Sequence, residues 1–167
     1  NDLANTIGNL LNRTTSMSRK WFKNTVPDVS TAKINRDMVI ELNRRIKLVI
    51  NAYKECNFHL ATETILAIAT EGNLYINDNE PWKLIKDDSK KDKVKQDIYY
   101  ILEVCRIIGI LIQPIVPTLS SKIKEQLGYQ NNISNWDYEL TFGRLDPGSD
   151  LPLPEPIIKR IDHKESL

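Results

Sequence analysis

The order of apolar and polar positions along this chain follows a helical period almost throughout, and few segments alternate at period two. Residues 2–24 place Leu3, Ile7, Leu10, Thr14, Met17 and Trp21 along one stripe, which predicts a first helix. Residues 25–35, with Pro27 and scattered polar side chains, read as a linker. A second helix is expected over 36–55, its apolar face formed by Val39, Leu42, Ile46, Val49, Ile50 and Tyr53. A third is expected over 58–75 from Leu60, Ile65, Leu66 and Ile68, ending in the turn Asn77-Asp78-Asn79-Glu80-Pro81. Residues 82–88 read as a connector. Ser89 then suits an N-cap, with Asp92 completing a capping box, for a fourth helix over 90–111. The second half of that helix, 101–112, is apolar almost all round, as expected of a central buried helix. Pro114 and Pro117 interrupt the pattern, and Thr118 suits the cap of a fifth helix ending at Gly128.

Beyond Gly128 the periodicity fades, and Pro147, Pro152, Pro154 and Pro156 exclude a long helix. Leu151, Leu153, Ile157, Ile158 and Ile161 still require cover, so the tail is expected to pack as extended chain. The fold class is therefore all-α: a bundle of about five helices over 1–128 with an irregular tail over 129–167, forming one domain over 1–167.

Composition narrows the function classes. The 167 residues are 41% hydrophobic and 27% charged, which excludes global disorder. The 2 cysteines, Cys56 and Cys105, cannot make a disulfide framework and read as buried thiols of a reducing compartment. The longest uncharged apolar run, 107–121, is too short for a membrane span and contains two prolines, so no membrane partner is expected. With Asn1 in first place, the chain reads as a piece of a longer or processed polypeptide.

No catalytic constellation emerges. Glu55, His59 and Glu63 are spaced four apart and would share a helix face, but a dimetal bundle needs two Glu-x-x-His sets and further carboxylates. No metal site is expected, and the stripe reads as solvated surface. Phosphate-cradling glycine loops and a nucleophile elbow are absent from the sequence. Binding is better supported. The net charge of +1 excludes a strongly basic chain, not local patches. Residues 1–24 hold Arg13, Arg19, Lys20 and Lys23 against Asp2, and residues 82–95 hold six lysines against Asp87, Asp88 and Asp92, each a local excess of three positive charges. Such segments attract phosphate, although most charge runs are solvated surface.

Two finer features bear on RNA. Asn9 and Arg13 are helix-face neighbours beside the apolar stripe, and their donors and acceptors suit the edge of an unpaired base. The competing reading is a solvated face, or an asparagine bonded to a neighbouring loop. Trp82 follows Pro81 where the chain must turn. An exposed indole there would make a stacking platform, but on spacing alone a tryptophan filling the gap between two helices is the favoured role.

The segment Leu3-Ala4-Asn5-Thr6-Ile7-Gly8-Asn9-Leu10-Leu11-Asn12-Arg13 resembles the opening helix of the anticodon-binding domain of methionyl-tRNA synthetases. Asn73-Leu74-Tyr75-Ile76 with Glu80-Pro81-Trp82-Lys83-Leu84, the stretch from Ile112-Gln113-Pro114 to Leu127-Gly128, Phe142-Gly143-Arg144-Leu145, and Pro154-Glu155-Pro156-Ile157-Ile158-Lys159-Arg160-Ile161 are similar to its later blocks, in family order. The resemblance implies that Asn9 and Arg13 contact anticodon bases and that Trp82 stacks the first of them, reversing the preference drawn from spacing. It also implies a closing segment that folds back toward a catalytic half. Ile158 and Lys159 depart from the family's usual aromatic residue and proline.

The implied function is recognition of the CAU anticodon of initiator and elongator methionine tRNAs. The partners are that anticodon loop and the catalytic domain of the same polypeptide. The nucleotide-binding half is absent from the sequence, so this chain is expected to be non-catalytic and to need no cofactor, with ATP used by the parent ligase. Two alternatives stay open: the corresponding bundle of a leucine, isoleucine, valine or cysteine synthetase, or a helical protein-interaction module without RNA binding. Abundant Ile, Asn and Lys suggest an AT-rich genome, and a mitochondrial matrix location is expected ahead of a cytoplasmic one.

Overall fold

A computed structural model describes residues 2–130 and 135–153. Five long helices form the bundle: α1 (Asp2–Trp21), α2 (Arg36–Lys54), α3 (Phe58–Asn79), α5 (Lys91–Leu111) and α6 (Pro117–Leu127). Two single-turn helices, α4 (Pro81–Leu84) and α7 (Trp136–Glu139), complete them. The all-α expectation holds for the described residues. None of their helices is long and apolar enough to cross a membrane.

α5 is the axis. Residues 101–112 are all buried, and α1, α3 and α6 pack around it while α2 lies on α3. α1 contributes Ile7, Leu10 and Leu11, α2 contributes Leu42, Ile46 and Val49, and α3 contributes Ile65 and Ile68. Fully burying each such side chain is worth about 1.5–3 kcal/mol. Leu60 was expected on the apolar face of α3 but remains exposed.

Helix ends differ from the sequence expectations for identifiable reasons. α1 stops at Trp21, not Asn24, because Lys23 and Asn24 both adopt left-handed φ values (54° and 59°), and the Asn24 amide turns back to the Ser18 carbonyl at 3.2 Å. α3 runs four residues past Tyr75. Its polar Asn77-Asp78-Asn79 stretch stays helical because Asn79 Nδ2 donates to the Tyr75 carbonyl and Asn77 is held by α1. Ser89 and Asp92 do not form a capping box. Asp87 accepts from the Ser89 amide and hydroxyl, capping a 3-10 turn over Asp88–Lys90 that leads into α5. Thr118 lies inside α6, which starts at Pro117 with Val116 in the cap position.

Cys56, at φ 55°, separates α2 from α3, and Asn57 caps α3 through the Leu60 amide. Glu55 therefore ends one helix while His59 and Glu63 lie on the next, so the expected three-residue face does not exist. His59 and Glu63 pair at 3.1 Å in open solvent. Cys56 is exposed, contrary to expectation, and Cys105 is buried, which pushes its thiol pKa well up.

The tail is not free of helix, since α7 lies within it, and a buried ion pair holds its middle. Glu103 and Arg106 of α5 have wholly buried side chains and pair at 2.6 Å. Glu103 accepts from the amides of Gly143, Arg144 (2.9 Å) and Leu145 (3.2 Å). Arg106 donates to the carbonyls of Glu139 and Thr141 (2.9 Å), and the Tyr99 hydroxyl donates to Leu145 O at 2.8 Å. The end of the described chain then returns to the end of α1. The Val26 amide donates to Ser149 O, the Gly148 amide to Val26 O and the Leu151 amide to Asn24 O, each at 2.8 Å. Leu151 is buried by this clasp, whereas Leu153 is exposed. Ile157, Ile158, Ile161 and the block 154–161 lie outside the described residues.

Candidate nucleic-acid interface

The site begins with the closeness of α1 and α3. A Cβ built on Gly72 would stand 2.8 Å from Leu10 Cδ2, so the glycine permits this approach. The polar residues beside that contact meet directly. Asn9 Nδ2 donates to Asn73 Oδ1 at 3.0 Å. Arg13 Nη1 donates to the same oxygen at 3.2 Å, and Arg13 Nη2 donates to Asn77 Oδ1 at 2.7 Å. Asn73 Nδ2 is in turn held by the carbonyls of Thr6 and Ala69, both at 3.2 Å.

Asn9 and Arg13 thus share one cluster, as their spacing suggested. Each remains accessible, Asn9 exposed and Arg13 half-buried. Neutral amide oxygens orient the guanidinium without cancelling its charge, and among the described residues no carboxylate pairs with it. Two of its five N–H donors are engaged. Asn9 Oδ1 accepts from no described residue. The seam is a fixed surface with donors, an acceptor and a positive charge still available.

Sequence reasoning had placed Asn73 only within a resembling block and Asn77 only in a turn. Their own spacing of four, matching that of Asn9 and Arg13, was the signal for two polar ladders facing each other across antiparallel helices.

Five residues after Asn77 comes Trp82. Glu80 closes α3 in the left-handed region (φ 44°, ψ 58°) and Pro81 opens α4, so the chain turns sharply and places the indole on the first turn of α4. Trp82 is 40% exposed, and Pro81 beneath it is buried. Glu80 is tied to Lys83 Nζ at 2.8 Å.

Behind this end of the bundle, the Tyr75 hydroxyl donates to Asp97 Oδ1 at 2.6 Å, and Lys93 pairs with the same carboxylate. Burial, then the Asp97 hydrogen bond, raises the Tyr75 pKa far above the ordinary phenol value. The lysine-rich stretch is partly neutralised, since Lys83, Lys91 and Lys93 each have a carboxylate partner. No cluster of His, Cys, Asp or Glu suited to a metal occurs among the described residues.

Fold and surface together define an all-α bundle with an amide–guanidinium seam and an exposed indole at one end. The family model for the anticodon-binding domain of methionyl-tRNA ligase matches residues 26–166, and the chain belongs to that family. Methionine–tRNA ligase of Halalkalibacterium halodurans is 32% identical over 99% of this chain. That of Synechocystis sp. is 35% identical over 96%. The free-state crystal structure of Mycobacterium tuberculosis methionyl-tRNA synthetase superposes with a TM-score of 0.80 at 30% identity, covering 96% of this chain and 32% of that one. The chain spans only 26% and 32% of the two ligases, so it corresponds to a part of such proteins.

Proposed function

We propose that this domain reads the CAU anticodon of methionine tRNA on behalf of a parent methionine–tRNA ligase. The first anticodon base stacks on Trp82. Base edges meet Asn9 and Arg13, which Asn73 and Asn77 hold in place. Lysines and arginines of α1 and of residues 82–95 attract the phosphates, so base contacts supply specificity and phosphate contacts supply salt-dependent affinity. The observation that carries this reading is the Asn9–Arg13–Asn73–Asn77 cluster, a charged and pre-oriented seam leading to an exposed tryptophan.

The catalytic domain of the same polypeptide would supply ATP-dependent aminoacylation, and docking of the anticodon here would align the acceptor end with it. The methionyl-adenylate-bound Mycobacterium tuberculosis structure, TM-score 0.79, supports ATP use by such a parent. We further propose a mitochondrial matrix location from the Ile-, Asn- and Lys-rich composition, with a cytoplasmic one as the alternative, although the relatives named above are bacterial. Imaging the tagged full-length protein distinguishes the two.

The test is binding of anticodon stem-loops at low salt. The CAU loop should bind more tightly than a loop whose first anticodon base is U. Trp82→Ala should remove about 1–3 kcal/mol of stacking while melting remains cooperative. Equal binding of both loops by the wild type would refute CAU reading, and unfolding of the variant would make Trp82 a core residue.

A further inference from the structure

A cleft of about 320 Å³ lies behind the Trp82 turn, lined by Lys33, Tyr75, Lys93, Gln96, Asp97 and Tyr100. Its size is in the range of small-ligand pockets. Asp97 is only 6% exposed. Its Oδ1 serves Tyr75 and Lys93, but its Oδ2 is buried and has no hydrogen-bond partner. An ionised carboxylate oxygen only accepts, so what completes it is an N–H or O–H donor entering the cleft. The Tyr75 and Tyr100 rings, 5.9 Å apart and tilted by 55°, form an aromatic wall beside it. Lys33 and Lys93 line the same cleft with positive charge. The adjoining cavity of about 360 Å³ shares both tyrosines but carries Asp37, Glu41 and Glu71, which repel phosphate. An anionic ligand therefore enters from the lysine side.

We propose that this cleft receives a second unpaired nucleotide of the bound RNA loop, cytidine or adenosine, whose exocyclic amine donates to Asp97 Oδ2 while its ring lies against the tyrosine wall and its phosphate faces Lys33 and Lys93. The proposal rests on the anticodon reading above. The amine requirement follows from the single open acceptor, since aspartate accepts from cytosine N4 in base readout and adenine N6 is an equivalent donor. Aromatic walls hold bases of any identity, so the carboxylate supplies the selectivity. The location fits a neighbour of the stacked base. Lys93 Nζ lies 3.4 Å from Asn79 Oδ1, and Asn79 precedes Trp82 by three residues, a span of at most about 11 Å of chain.

The experiment measures stem-loop affinity while single loop nucleotides are replaced by analogues lacking the amine, 2-pyrimidinone riboside for cytidine and purine riboside for adenosine. The wild-type chain should lose about tenfold in affinity at one position other than the first anticodon base, as expected for a hydrogen bond to a charged group. In Asp97→Asn that loss should vanish, because the amide can place a donor where Oδ2 was. The dependence on the first base, read through Trp82, should persist. Lys33→Ala, on an exposed turn, should weaken all loops and lower the salt slope by about one, which guards against a poorly folded Asp97 variant. An amine effect of equal size in wild type and Asp97→Asn, or none outside the first base, overturns the pocket while leaving the anticodon reading standing. Loss of first-base dependence in the wild type overturns the reading on which the pocket rests. Free cytidine monophosphate that binds as tightly as the loop, and competes with it, would assign the cleft to a free nucleotide instead.

Discussion

At the scale of single residues, the informative side chains are those that orient others. Asn73 accepts from both Asn9 and Arg13 and is itself anchored to two carbonyls. Asn73→Ala should cost about 1 kcal/mol of stability, the net worth of a partly exposed hydrogen bond or two. It should also blunt the preference for CAU while general loop affinity falls less. Asn73→Asp should keep the fold but weaken all loops, because its carboxylate would neutralise Arg13. Melting curves and stem-loop titrations on the two variants separate orientation from charge. Asn9, Arg13 and Trp82 were legible as residues because their types suit base contact. Their supports were not, because asparagines four apart in a polar stretch look like a turn until the facing helix is known. Cys56 was misjudged for a similar reason. Cysteine is usually buried, but here it occupies the left-handed residue between two helices, where the side chain is exposed.

At the scale of elements, helical period identified the five long helices and their apolar faces, while their ends depended on local backbone events. Lys23, Asn24, Cys56 and Glu80 all take positive φ without being glycine, so the usual glycine stop signal was missing at each of these turns. Conversely, Gly72 sits inside a helix, where it lowers propensity, and its reason is the neighbouring helix. Gly72→Ala would gain up to about 1 kcal/mol in helix propensity. It would press a methyl group into Leu10, which is fully buried and has little room to yield. With overpacking costing about 1–3 kcal/mol, the net expectation is destabilisation by about 1 kcal/mol. Anticodon discrimination should weaken too, since any separation of α1 and α3 lengthens the Asn9 and Arg13 contacts. Denaturant titration gives the first effect and stem-loop binding the second. An unchanged midpoint would mean that the seam accommodates the methyl.

At the scale of the whole molecule, the tail is fastened by charge rather than by apolar cover alone. The sequence reading treated 101–112 as an apolar helix. Glu103 and Arg106 are inside that core, with no exposed side-chain surface. Their backbone partners in residues 139–145 are some forty positions away, a pairing that no periodicity encodes. Arg106→Met leaves the carboxylate buried and unpaired and should cost about 3–5 kcal/mol. Amide exchange at Gly143, Arg144 and Leu145 should accelerate in step, even where the remaining bundle stays folded. If those amides kept their protection, the segment would be held by packing instead.

The clasp between residues 24–26 and 148–151 has a temporal consequence. Asn24 and Leu151 are 127 positions apart, so on a ribosome the first half of the clasp exists long before the second. At about 5–20 residues per second, that interval lasts roughly 6–25 s. Helices α1, α2 and α3 emerge within it and can dock by comparatively local contacts. For the whole of that time, the edge formed by Asn24 and Val26 must wait unpaired. The last backbone bonds to close are therefore those that join the domain's first loop to its departing chain, and a nascent polypeptide stalled before Gly148 would carry the RNA-facing seam without the fastening at its far end.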